Sequence, residues 1–305
     1  MLTTSPGDFL AARAQLPPLR NPRTTARAAF LVAPAANELA AESARDNHYM
    51  DMAAGFDTAR ALIQHAALAR ALRDDLPVIS FPGDPDTPDA MFPNNVFGTA
   101  PGRLVVGAMR HPVRQREAAR ADIRGFFRDV LGREEIDLTQ RDDCVAELTG
   151  SLVIDHARGI GYCGLGERCN MAGARALHET FSLRISYCFQ LAAGEYHTNV
   201  VMTSLAGRAV ILATDGFADP AVPHAIARAF DDRVVWLTPE QKRAYAGNAI
   251  TLADDRVWMS ARAAASLAPE QRASLAAWGF RIGTVELDEI EKAGGSLRCC
   301  VGEIF

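Results

Sequence analysis

No apolar stretch in this chain reaches the roughly 18 residues that a membrane-spanning helix requires. Positive charge is not in excess: 32 Lys and Arg stand against 37 Asp and Glu, for a net charge of −5. Nonspecific nucleic-acid binding rests on surplus cations, so it finds no support here. The first residues, Met1-Leu-Thr-Thr-Ser-Pro-Gly-Asp8, lack the basic-then-apolar layout of an export signal. Cysteine is sparse, with six in 305 residues, and Cys163 and Cys169 have no second pair at zinc spacing. A metal site is therefore not expected, and the thiols read as free in a reducing compartment. These absences point to a cytoplasmic protein with neither nucleic acid nor membrane as partner.

What is present is apolar residue, 49% of the chain, enough for a sizeable core. Five polar residues recur at nearly even intervals: Asn95, Glu147, His197, Asn248 and Cys299, with steps of 52, 50, 51 and 51 residues. Each lies in or beside a short apolar run that reads as a strand. A fixed period of this length marks a repeat architecture with one supersecondary unit per repeat. Units set around an axis would bring equivalent positions to one point. A Cys, a His, a Glu and two Asn gathered there would make a nucleophilic site.

Residues 1–27 are rich in Pro, Arg and Thr and read as an N-terminal arm, with one short helix around 8–14. Residues 28–305 read as a single domain. A strand is predicted at Ala28–Val32, then helical periodicity over 37–72 with a break near Asp51. Strand groups follow at 78–81 with 95–108, at 137–138 with 151–155 and 160–165, at 184–189 with 198–204 and 208–214, and at 233–237 with 248–253 and 256–260. Helices are predicted at 114–131, 171–181, 222–230, 261–267 and 269–278. The last strands, 281–287 and 296–304, have no helix of their own, and the strand at Ala28–Val32 with its following helix would complete that unit. Pairing both termini in this way would remove exposed sheet edges.

Gly294-Gly-Ser-Leu-Arg-Cys299-Cys300 combines backbone freedom with a thiol and the cation Arg298. A free Cys ionises near about 8.5 and needs such help to act as a nucleophile at neutral pH. Small buried packing is the commoner fate of cysteine. His197 and Asn199 are two apart at the start of a predicted strand, where i and i+2 share a face. Histidine is the usual proton shuttle near neutrality. Glu147 precedes the apolar run Leu152-Val-Ile, where a carboxylate would be buried. Gly159-Ile-Gly-Tyr-Cys-Gly164 fits a dinucleotide-binding spacing, but a turn between two apolar runs makes it a hairpin instead. The basic run 110–124 reads as a solvated helix face, with Arg114 the exception.

Taken together, Pro88-Asp-Ala-Met-Phe-Pro-Asn-Asn95, Arg114 with Glu117, Glu147-Leu-Thr-Gly-Ser151, Arg168-Cys-Asn170, His197-Thr-Asn199, Ala246-Gly-Asn248 and Gly294-Gly-Ser-Leu-Arg-Cys299 resemble the guanidino-group-modifying superfamily. That superfamily includes arginine deiminases, dimethylargininases and amidinotransferases. The likeness is strongest to its bacterial citrulline ureidase-like, arginine-deiminase-related hydrolases. The resemblance implies an α/β fold, a five-bladed pseudo-symmetric propeller (pentein), with no metal or organic cofactor. It implies Cys299 as nucleophile, His197 as proton shuttle and Glu147 as the acid that orients it. Asn95, Asn199, Asn248, Arg114 and Arg168 would bind a small amino-acid substrate, the two arginines through its α-carboxylate. A homodimer is left open.

Two departures from the family pattern sharpen the expectation. Arginine deiminases and dimethylargininases carry Asp where this chain has Asn95 and Asn199. A buried guanidinium without carboxylates meets a desolvation cost of several kcal/mol. Asn offers both an acceptor and a donor, which suits a neutral ureido group. The expected reaction is therefore hydrolysis of citrulline, or an N-acyl-citrulline, to ornithine, ammonia and carbon dioxide through a covalent thio-intermediate. The alternatives are an arginine dihydrolase, an arginine deiminase, a dimethylargininase-type hydrolase or an amidinotransferase. A non-catalytic binding protein would have lost Cys299, His197 or Glu147, and all three are present. The second departure is Leu148, where many relatives have Gly; its bulk is expected to narrow or reshape the pocket.

Overall fold

The computed structural model describes all 305 residues. The first strands in chain order are β1 (Leu2–Thr3), β2 (Ala28–Val32), β3 (Val78–Phe81), β4 (Phe97–Ala100), β5 (Arg103–Val106) and β6 (Glu134–Asp137). Then come β7 (Leu152–Asp155), β8 (Ile160–Leu165), β9 (Ile185–Gln190), β10 (Met202–Leu205) and β11 (Ala209–Ala213). The remainder are β12 (Val234–Leu237), β13 (Ile250–Ala253), β14 (Arg256–Ser260), β15 (Arg281–Val285) and β16 (Gly302–Ile304).

These form five separate sheets with one repeated plan: β16-β2-β3, β4-β5-β6, β7-β8-β9, β10-β11-β12 and β13-β14-β15. In each, the middle strand runs antiparallel to the first and parallel to the third. An antiparallel pair needs only a short turn, whereas a parallel pair needs a crossover. The helices supply it: Thr58–Leu72, Pro112–Ala118 with Ala121–Gly125, Met171–Thr180, Ala221–Ala229, and Ala261–Ser266 with Pro269–Ala277 lie between second and third strands. The first sheet is made from both ends of the chain, because β16 pairs antiparallel with β2. Thr99 on β4 donates to the Glu303 carbonyl on β16 at 2.8 Å, tying the first sheet to the second.

The glycine-rich run at 159–164 is the turn and second strand of the β7–β8 hairpin, as its sequence indicates. The expected helix near residue 8 runs Pro6–Ala14, begun by Ser5, whose hydroxyl accepts from the Asp8 amide at 3.1 Å. Its Phe9 is fully buried and stacks on Tyr187 at 4.5 Å, and β1 adds to the edge of β9.

Two expectations about helices are corrected. Residues 37–57 are not helical apart from the single turn Ser43–Arg45; helix begins at Thr58, capped by Asp57. The polar groups of that segment bind other parts of the molecule instead, as described below. The predicted helix at 114–131 is broken at 119–120 and ends in a wider turn, Phe126–Val130, with bonding five residues back.

Candidate active site

The five periodic residues lie no more than five positions upstream of the first strand of a unit, ahead of β4, β7, β10, β13 and β16. They do not lie on the strands. Asn95 ends a short turn, Pro93–Asn95, while Glu147 and His197 each precede one helical turn, Leu148–Ser151 and Thr198–Val201. The expectation that His197 and Asn199 share a strand face is therefore incorrect. A turn brings both to the same place: the Val200 amide bonds back to the His197 carbonyl at 3.3 Å, folding residues 197–200 over.

These turns bond to one another in chain order. Thr149 donates to the Asn94 carbonyl at 3.0 Å, and Asn199 Nδ2 donates to the Thr149 carbonyl at 3.1 Å. Asn248 Nδ2 donates to the Asn199 carbonyl at 2.9 Å and lies 3.3 Å from Cys299 Sγ. The Cys299 amide donates to Asn248 Oδ1 at 3.3 Å, and its thiol lies 3.8 Å from Asn199 Oδ1. All five periodic residues are buried.

His197 Nε2 lies 2.8 Å from Glu147 Oε2, and its Nδ1 is buried without a partner. Asn95 Oδ1 is likewise buried and unpartnered. Both face Gly150: a Cβ there would sit 2.5 Å from Asn95 Oδ1 and 2.9 Å from His197 Nδ1. A glycine at 150 therefore lets the two approach. His197 makes no hydrogen bond to Cys299. The thiol and Asn95 line one cavity; His197 is not part of its wall and is linked to it through Gly150, which both Asn95 Oδ1 and the imidazole face.

Burial pushes Glu147 up, but the Arg168 charge and the His197 bond outweigh it and hold the carboxyl well below its usual range. Arg168 Nη1 reaches both Glu147 oxygens at 3.2 Å. Burial holds His197 below its ordinary value against the pull of Glu147, which leaves a neutral imidazole beside a carboxylate. Burial likewise raises the Cys299 thiol, against the Asn248 hydrogen bond and the Arg298 charge. The sequence suggested Arg298 as an aid to the thiolate. Its guanidinium instead pairs with Glu303 at 2.8 Å and with the Val301 carbonyl at 2.9 Å, and burial decides the direction.

The cavity on Cys299 has about 10 Å³ of water-accessible space, about one water. Arg114, Arg168, Asp89 and Ser43 form another part of its wall. Arg114 is held by Glu117 through two bonds, at 2.7 and 2.9 Å, and donates to the Phe92 carbonyl at 3.1 Å; its Nη1 makes no hydrogen bond within the protein. Arg168 donates to Asp46 at 2.7 and 2.6 Å and to the Ser43 carbonyl at 3.1 Å. Asn170 positions it: the Asn170 side chain caps the following helix and accepts from the Val145 amide at 3.3 Å, drawing the segment before Glu147 alongside Arg168.

The residues missed from sequence are Ser43, Asp46, Asn47, Asp89 and Tyr196. Ser43 donates to Asp89, whose other oxygen is buried and unpartnered; burial raises this carboxyl against the nearby Arg114. Asn47 and Tyr196 both donate to the Gly294 carbonyl. Gly294 is needed on two counts: its φ of +79°, and a Cβ position only 2.4 Å from Asn47 Nδ2. Asp89 lies within the motif Pro88–Asn95, six positions before Asn95. Nothing in the sequence linked Ser43, Asp46 or Asn47 to residues more than a hundred positions away.

The expectation that Leu148 narrows the pocket is also corrected. Leu148 is buried against Gly98 and Gly107, in the core rather than the cavity wall. Its φ of +22° shows why glycine suits this position.

Comparison with known proteins follows the same line. The Bacillus subtilis protein YkgA, itself uncharacterized, is 24% identical over 240 residues, covering 78% of this chain and 77% of YkgA. In fold, the chain is similar to the N-terminal domain of ArgZ, a cyanobacterial arginine dihydrolase solved bound to its substrate (TM-score 0.78, 17% identity, 91% of this chain and 97% of that domain). It is also similar to the DDAH of Pseudomonas aeruginosa complexed with citrulline (TM-score 0.71, 21% identity, 92% of this chain and 100% of that one). The family model for N,N dimethylarginine dimethylhydrolase, eukaryotic, matches residues 33–305, and the chain belongs to that family.

Proposed function

We propose that this chain is a cofactor-free cysteine hydrolase of an amino-acid ureido group, with citrulline as substrate. Residues 28–305 would form one catalytic domain whose five units are the blades of a closed propeller, and residues 1–27 would be its arm. The observation that carries the reading is the amide surroundings of the thiol: Asn199 and Asn248 lie against Cys299 Sγ, and Asn95, whose Oδ1 is unpartnered, lines the same cavity as the thiol. A neutral ureido group offers N–H donors and a C=O acceptor, which carboxamides match without charge.

The amino-acid head would lie at the other wall. Arg114 Nη1 is free to take the α-carboxylate, with Arg168 adding charge, and Asp89 has an unused oxygen for an α-ammonium. That oxygen favours a free α-amine, and so citrulline over an acylated form.

In this reading the Cys299 sulfur bonds the ureido carbon, and the terminal nitrogen leaves as ammonia with a proton carried by His197. Water oxygen then bonds the same carbon, its proton passes to His197, and the C–S bond breaks with its electron pair returning to sulfur. The product, N-carboxyornithine, loses carbon dioxide to give ornithine. Splitting one hard step into two is the advantage of covalent catalysis. Glu147, held ionised, stabilises the imidazolium formed on the way.

A second reading, hydrolysis of arginine through citrulline in two turns of the same cycle, is favoured by that buried carboxylate, which suits a cationic group. Incubation with citrulline, acetylcitrulline, arginine and dimethylarginine, with assay of ammonia and ornithine, separates the two. The proposal expects citrulline turnover that Cys299→Ala abolishes; activity on arginine alone, stopping at citrulline, would overturn it.

A further inference from the structure

A second cavity lies among the first strands of the units, with about 50 Å³ of water-accessible space, room for roughly three or four waters. Ten of its sixteen lining residues are not hydrophobic. Its walls include Thr203 on β10, Thr251 on β13 and the part-buried pair of Arg298 with Glu303 on β16. It runs between Thr24, which is half-buried, and the turn residues Thr149 and Asn199.

The two cavities share no lining residue, yet they meet at one contact. Cys299 is in the wall of the first, and its Sγ lies 3.8 Å from Oδ1 of Asn199, which is in the wall of the second. The Asn199 carboxamide and Thr149 thus separate the thiol from a polar chamber. The thiol cavity itself is small and roofed by Ser43 and Asn47 from the segment after β2. An amino acid is far larger than this one-water space, so its binding displaces these walls and leaves no room there for a molecule of water. Yet the second half of the reaction needs a water within reach of the carbon on sulfur.

Resting on the catalytic reading above, we propose that the second cavity supplies this hydrolytic water, passed to the Cys299 adduct beside the Asn199 side chain. The water's oxygen bonds the adduct carbon, its proton goes to His197, and the C–S bond breaks; nothing is oxidised or reduced. The chamber is suited to the task because its polar walls hold water where an apolar void of equal size stays dry.

The test fills the chamber from two sides, with Ser204→Leu and Val153→Phe. Both residues line it, and the Ser204 hydroxyl makes no hydrogen bond within the protein. Thermal melts establish that each variant is folded. Rapid acid quench and intact-mass measurement then follow adduct formation and decay separately during citrulline turnover. The expected result is formation at the parent rate and decay slowed about tenfold or more, so that adduct accumulates. Decay at the parent rate in both folded variants would overturn the proposal while leaving the catalytic reading intact. No adduct in the parent protein would sink both. A crystal structure of the parent independently decides hydration: ordered waters along the chamber support the route, and a dry chamber contradicts it.

Discussion

The two arginines of the candidate cavity are held in opposite ways. Arg114 takes its partner from three residues along the same helix: Glu117 clasps it with two bonds, and both are almost fully buried. Arg168 takes its shortest bonds from across the molecule: beside the buried Glu147 at 3.2 Å, it is clasped by Asp46, which lies 122 positions earlier on a segment without regular structure and is part-exposed. One anchor is local and rigid, the other distant and carried on a loop that also reaches Asp89 through Ser43 and Gly294 through Asn47. The difference suggests that one wall of the cavity belongs to the fold and the other is added to it, so the two should fail differently when disturbed.

The largest effect is expected at the local anchor. Glu117→Ala strands a buried guanidinium, and breaking such a pair costs about 3–5 kcal/mol. Chemical unfolding should show that loss with or without substrate; a change below about 1 kcal/mol would mean that Arg114 finds another partner.

Next comes acid sensitivity on the loop side. The loop leads into the helix Thr58–Leu72, whose His65 is buried with Nε2 unpartnered and is pushed down to about 4 by burial. The neutral form is favoured in the folded chain, while the unfolded chain takes up a proton near about 6.5. This contribution is therefore full above about pH 6.5 and is lost as pH falls toward about 4, amounting to about 3 kcal/mol. Urea melts at pH 7 and pH 4 should show that parent protein loses this much more than His65→Leu. Equal losses would contradict the assignment.

The smallest effect is expected at Asp46. Asp46→Asn leaves Arg168 with Glu147 and the Ser43 carbonyl, so the fold should persist. The loosened guanidinium should raise KM for citrulline about tenfold with kcat little changed, the pattern of lost uniform binding. An equal loss in kcat would mean that Asp46 serves the chemistry through Glu147.

The same contrast explains what the sequence reveals. The repeated plan is written locally, in apolar runs, turns and helices at a regular period, so the five repeats and their helices are readable. The grouping of strands is not: the sequence places 78–81, 137–138, 184–189 and 233–237 with the strands that follow them, but each pairs in parallel across its helix with the sheet before. Asn95, Glu147, His197, Asn248 and Cys299 carry that period, and Arg114 with Glu117 lies on one helix. The segment 37–57 defeats local reading because its composition suits a helix while its side chains satisfy buried groups elsewhere: Asp46 on Arg168, Glu42 on the Val113 amide, Asn47 on Gly294. Tertiary demand overrides propensity there. The one-turn helices after Glu147 and His197 are too short to leave a periodic signal.

The most direct test of the central claim is to locate the covalent intermediate. Citrulline turnover quenched in acid, followed by intact-mass and peptide mapping, should give one adduct of the substrate less one ammonia. It should map to Cys299 and be absent from Cys299→Ala. An adduct on any of the other five cysteines, or ammonia release undiminished in Cys299→Ala, would contradict the account.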